Sequence, residues 1–225
     1  TTLHVIDQLH RVMLSPSKQP KQATEVRRAS LIEAALQLAS QRNPSHITTG
    51  DLAQAVGLTQ GAVFRHFASK EAIWLAVLDW TADTLMAKLQ AASQSTHSAN
   101  PQQVDPLLAL RAVFMAHVDF VIAHPGVPRV IFQELQHAQD TPLKASVREL
   151  LQRYRVLIFG LLHRAHAHGA LAPDTDLQAA AVLFLGSVQG LVMQSLLSAQ
   201  ANAIATQAPG VFAIYLRGLI VRDAL

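Results

Sequence analysis

Thr48-Thr49-Gly50-Asp51-Leu52-Ala53-Gln54-Ala55-Val56-Gly57-Leu58-Thr59-Gln60-Gly61-Ala62-Val63-Phe64-Arg65-His66-Phe67 is the stretch on which the fold of this chain turns. Its opening offers a capping box, because a Thr48 hydroxyl and an Asp51 carboxylate at this spacing satisfy the free amides of a helix start. The helix that follows must be short. Gly57 can take the left-handed conformation that closes it, and Thr59 can cap another. Leu52, Val56, Leu58, Val63 and Phe67 supply a face for two crossing helices to bury, and Ala53 is small enough for a close crossing. The pattern predicts helix, glycine turn, helix. Gln60, Gly61, Phe64, Arg65 and His66 then lie away from the buried face, where they can meet base edges or phosphates in a major groove. Thr49, Thr59 and Lys70 sit near helix N-termini, where hydroxyls, free amides and an ammonium bind phosphate without reading sequence.

On the upstream side, Ile32, Ala35, Leu36 and Ala39 make an apolar stripe on a helix expected over 25–40, ended by Asn43-Pro44-Ser45. Residues 15–22, polar with two prolines, read as a linker behind a short amphipathic helix over 3–13. Downstream, Ser69 caps a long fourth helix running from Lys70 toward Leu89, with Glu71 opposing its dipole. A polar joint over 93–103 follows. Apolar helical patterns then span 106–123, 127–137, 142–168, 176–199 and 207–222, broken at His124-Pro125-Gly126, Asp140-Thr141-Pro142, 169–173 and Pro209-Gly210. No stretch carries a strand signal. The expectation is an all-α chain with an N-terminal extension over 1–24, a three-helix helix-turn-helix domain over 25–75, and a larger helical domain over 76–225, to which the resemblance described next assigns effector binding and dimerisation.

The quoted segment resembles the DNA-binding domain of the tetracycline-repressor-like (TetR) family of regulators. Threonine pair, Asp-Leu-Ala, Val-Gly-Leu-Thr, Gly-Ala-Val-Phe-Arg-His-Phe and Ser-Lys-Glu-Ala stand in family order and spacing over residues 28–75. The resemblance implies that the first three helices bind DNA, that the fourth links them to a ligand domain, and that two C-terminal helices dimerise. It also implies repression, released when an effector binds. Phe64 stands where the family usually carries tyrosine, which removes a phosphate-contacting hydroxyl. Gly50, often a longer polar residue in relatives, removes another contact.

The net charge of +3 is concentrated between Lys18 and Glu71, where Lys18, Lys21, Arg27, Arg28, Arg42, Arg65 and Lys70 face only Glu25, Glu33, Asp51 and Glu71. A basic segment suits a polyanion, and equally a solvated surface. Arg27 and Arg28 can touch phosphate or simply face water. With no cysteine, thiolate catalysis and cysteine metal sites are excluded. No nucleophile with its base, metal constellation or phosphate loop is legible, so neither an enzyme nor a cofactor is expected. The apolar runs are too short for a bilayer span and no secretory pattern is visible, so a cytoplasmic protein without a membrane partner is expected.

In the C-terminal helices, Leu177, Ala181, Phe184, Val188, Leu191 and Leu196 share one side, and the last helix adds Phe212, Tyr215, Leu216, Leu219 and Ile220. Together they can form a four-helix homodimer contact or an ordinary core; a dimer would read a pseudo-palindromic double-stranded DNA operator. Phe114, His117, Val121, Phe132 and Tyr154 offer a mostly apolar lining for a small hydrophobic or aromatic effector. His163, His166 and His168 cluster at one helix end, where imidazoles can bind zinc or simply favour the helix dipole. The rival reading is a helical adaptor whose helix-turn-helix packs on protein.

Overall fold

A computed structural model describes residues 19–94, 105–198 and 203–220, and among these it contains nine α-helices and no strand. The expected helix over 3–13 lies outside the described residues. The first helix, α1 (Gln19–Gln41), begins inside the expected linker. Pro20 does not prevent this, because in the first turn its missing N–H has no intrahelical partner to lose. Leu31, Ala35, Leu36 and Ala39 form its buried face. A 3₁₀ turn (Pro44–His46) follows, with the Asn43 carboxamide accepting the Ser45 N–H at 3.0 Å.

The capping box forms as the sequence predicts. Thr48 Oγ1 accepts the Asp51 N–H at 3.1 Å, and Asp51 Oδ2 accepts the Thr48 N–H at 2.7 Å, opening α2 (Thr49–Ala55). Asp51 also pairs with Arg42 at 3.0 Å. Gly57 has φ +66°, which turns the chain into α3 (Gln60–Val63), capped by Thr59. This helix is shorter than expected. Beyond Val63 the chain tightens, with the Arg65 N–H bonding Ala62 O and the His66 N–H bonding Val63 O, three residues back.

α4 (Lys70–Gln94) packs against α1, α5 (Pro106–Ala123) and α7 (Pro142–Ala167), and so joins the two halves of the molecule. Between α5 and α7 lies the short α6 (Gly126–Leu135), which touches both α1 and α7. α8 (Leu177–Ser198) and α9 (Ala203–Arg217) complete the larger domain. An aromatic cluster knits it together: the Phe114 ring lies 5.3 Å from both Phe184 and Phe212, and Phe184 lies 5.6 Å from Tyr215.

Three expectations need correction here. Pro209-Gly210 is not a break, because α9 runs through Pro209. Ile204, Ala208, Phe212 and Tyr215 bury one continuous face of α9, which holds the helix across the lost hydrogen bond while Pro209 stays at the surface. The stripe Ala181, Phe184, Val188 and Leu191 of α8, read as a possible dimer contact, is buried within the chain's own core, as are Phe212, Tyr215 and Leu219. The face of α8 left bare carries Val182, Leu183, Gly186, Gly190, Met193 and Leu197. The expectation that the apolar runs are too short for a bilayer span is also corrected, since by length and composition both α5 and residues 177–197 are long and apolar enough to cross a membrane. α5 owes that composition to its place among α4, α7, α8 and α9.

Candidate functional site

Local caps and one long-range cross-link hold the turn-and-helix segment in position. Arg28 of α1 donates from Nη1 to the His66 carbonyl at 2.6 Å, and its guanidinium lies 4.1 Å from the Phe67 ring centroid. The sequence reading left Arg28 to touch phosphate or face water; the exposed side chain has a further role, fastening the end of the α3 turn to α1. No local pattern signals this link, since the partners are 38 residues apart.

Thr59, Gln60, Gly61, Phe64 and Arg65 make an exposed strip. The Arg65 guanidinium has no ion-pair or hydrogen-bond partner among the described residues. Phe64 is 47% exposed, unusual for so large an apolar ring. The other three predicted residues are engaged internally. Thr49 is buried, and its hydroxyl accepts the Gln60 Nε2–H at 2.7 Å, so the side chain of Gln60 is tethered to α2. Lys70 donates to the Ser45 carbonyl at 3.0 Å, tying α4 to the 3₁₀ turn. His66 is half-buried, with Nδ1 enclosed and unpartnered. Asp51, at the base of this unit, has its pKa lowered to about 2 by the Thr48 backbone N–H, the Thr48 hydroxyl and Arg42.

In the larger domain a cavity of about 80 Å³ lies between α4, α5, α6, α7 and α8. His117, Val121, Phe132 and Tyr154 line it as the sequence suggests; Phe114 does not, because it belongs to the aromatic cluster with Phe184 and Phe212. The sequence reading missed most of the remaining wall, including Leu85, Val127, Ile131, Leu150, Val188 and Gln189. These stand on four helices, and no single-helix stripe gathers them. His117 Nδ1 lies 3.0 Å from the Tyr154 hydroxyl. Burial lowers the His117 pKa to about 4 and raises that of Tyr154.

α6 stands between this cavity and the helix-turn-helix half. Val127, Pro128, Ile131, Phe132 and Leu135 face the cavity. At its N-terminus Gly126 meets α1 so closely that a β-carbon there would lie 2.1 Å from the Leu36 carbonyl oxygen. Further along, Gln133 Oε1 accepts the Ser45 N–H at 3.0 Å. His163, His166 and His168 do not converge: the His166 ring bonds the Pro173 carbonyl, His163 lies against Phe159, and His168 is the C-cap of α7. Among the described residues no three His, Asp or Glu side chains gather as a metal site.

Comparison with known proteins matches two family models to this chain. Residues 31–77 match "Bacterial regulatory proteins, tetR family", and residues 131–209 match "Tetracyclin repressor-like, C-terminal domain". A curated relative, the nucleoid occlusion factor SlmA of Glaesserella parasuis, is 26% identical over 64% of this chain and 69% of its own length. Among solved structures, a TetR transcriptional regulator from Chloroflexus aurantiacus superposes with a TM-score of 0.74 at 18% identity, covering 89% of this chain and all of its own. The ketosteroid transcriptional regulator KstR2 of Mycobacterium tuberculosis gives 0.70 at 22% identity, covering 87% and 96%.

Proposed function

This chain belongs to the TetR family of bacterial regulatory proteins, and from that membership we propose that it is a homodimeric repressor, released from a pseudo-palindromic operator by a small hydrophobic effector. The observation that carries this reading is the exposed strip Thr59, Gln60, Gly61, Phe64 and Arg65 beside the glycine turn, with Arg65 unpaired. Gln60 and Arg65 read base edges, the first pre-positioned by Thr49. Phe64, lacking a hydroxyl, meets thymine methyl groups, and Gly61 lets the backbone approach. Thr59 contacts phosphate, while Thr49, His66 and Lys70 hold the reading surface in place. The same reading puts the protein in the cytoplasm, where its operator is.

The bare face of α8, with Leu183 at 55% exposure and Met193 at 42%, is the dimer contact, closed by the outward Ile214 of α9. Gly186 and Gly190 on that face allow close approach of the partner's helix. The effector cavity, at about 80 Å³, is small beside the roughly 300–1,000 Å³ of ligand sites in general, so an effector larger than a few atoms must push its wall outward. Moving α6 shifts Gly126 against α1 and Gln133 against the 3₁₀ turn, and α4 tilts with them. The two reading strips then no longer match successive major grooves.

The test is selection of genomic fragments by the purified chain, followed by footprinting. The expected result is enrichment of an inverted repeat with two protected half-sites about one helical turn apart. Fragments no more enriched than with the Arg65→Ala variant would reject the reading. In that case the adaptor alternative, a helix-turn-helix that docks on protein, takes its place.

A further inference from the structure

The cavity behind α6 constrains its occupant beyond being apolar. Tyr154 is 1% exposed, and the one hydrogen-bond partner of its hydroxyl among the described residues is Nδ1 of His117. A buried hydroxyl hydrogen left undonated is costly, so the phenol donates to Nδ1. Nδ1 is then the unprotonated ring nitrogen, and the imidazole proton sits on Nε2. That N–H has no protein partner among the described residues, and unlike Nδ1 of His66 it is not enclosed. His117 itself lines the cavity, so the unused donor belongs to that space.

Among the described residues the rest of the wall carries no Lys, Arg, Asp or Glu, and its one other polar side chain is Gln189. A carboxylate or an ammonium placed there loses its water and finds no opposite charge. Burial holds His117 itself neutral, with its pKa near 4. We propose that the effector is an uncharged, mostly apolar molecule whose carbonyl oxygen accepts the Nε2–H of His117: a ketone, ester or lactone rather than an acid or an amine. This rests on the cavity being the effector site of the regulator described above.

The test uses the full-length chain without DNA and four probes sharing one phenylethyl body: 4-phenyl-2-butanone, 3-phenylpropanoate, 3-phenylpropylamine and butylbenzene. Nitrogen NMR of His117 should show the neutral ring protonated at Nε2, with that resonance moving on addition of the ketone. The ketone should bind about tenfold more tightly than butylbenzene, and more tightly than the acid or the amine. In His117→Leu the ketone should fall to the level of butylbenzene, whereas His117→Gln, which keeps an N–H donor, should retain part of the preference. A ring protonated at Nδ1, an acid or amine that outbinds the ketone, a preference unchanged in His117→Leu, or no binding by any probe would overturn the proposal. Because binding is read without DNA, a chain that prefers the ketone yet enriches no genomic fragment would overturn the regulatory reading alone.

Discussion

Arg65 and Lys70 are both cations of the DNA-binding unit, but their surroundings assign them different work. Arg65 is unpaired and exposed, whereas Lys70 is spent on the Ser45 carbonyl. Arg65→Ala should therefore cost about 1–3 kcal/mol on the selected operator and little on scrambled duplexes, while Lys70→Ala should weaken all duplexes alike. Titrations of both variants against both kinds of DNA check this; equal losses everywhere would remove the distinction. His117 makes a second residue-scale prediction. Its ring protonates near 6.5 when unfolded and near 4 when folded, so as pH falls the unfolded chain takes up the proton first. The associated stability is intact above about 6.5 and declines toward pH 4, by on the order of 2–3 kcal/mol. Urea midpoints of the wild type against His117→Leu should converge across that window. The depressed Asp51 acts separately, losing its contribution only between its ordinary value of 3.8 and about 2. Caps such as Thr48, Thr59 and Ser69 were legible in the sequence because a cap is decided within three residues. The links from Gln60 to Thr49, Lys70 to Ser45 and Arg28 to His66 span 11, 25 and 38 residues, and the helix crossings that create them leave no local trace.

Among the elements, α6 has the most consequential position, because one side of it walls the cavity and the other bears on α1. Its coupling rests on Gly126, where a β-carbon would collide with the Leu36 carbonyl, a backbone atom that cannot swing aside. Gly126→Ala should destabilise the protein by about 1–3 kcal/mol. At Gly61, by contrast, an added β-carbon meets no atom within 4 Å, and the helix gains from losing a glycine. Gly61→Ala should leave the melting temperature unchanged or raise it. A neutral Gly126→Ala would mean that α1 and α6 slide freely and do not transmit. Helix order and most boundaries followed from apolar period and turn residues: α5 spans the expected residues, and α7 differs by one at its end. α9 escaped that logic because Pro209 signals a stop locally, while the buried face from Ile204 to Tyr215 keeps the helix going.

For the whole molecule, which face of α8 belongs to the core was the hardest feature to read. The helix is apolar nearly all round, so its composition is the same whether a face meets α9 or a second subunit. The fold shows that Phe184 and Val188 point inward, leaving Val182, Leu183 and Leu197 bare. Leu183→Glu should therefore yield a folded monomer in sedimentation, with operator affinity reduced to that of a single half-site. A dimer that survives this change would place the contact elsewhere.

The affinity of the wild-type protein for its selected operator as a function of ionic strength tests the proposed DNA-reading strip most directly. Phosphate contacts release condensed counterions, so binding should weaken at least about a hundredfold between 50 and 200 mM salt, linearly on logarithmic axes. An affinity that stays flat over that range would mean that the strip around Gln60 and Arg65 does not enter duplex DNA.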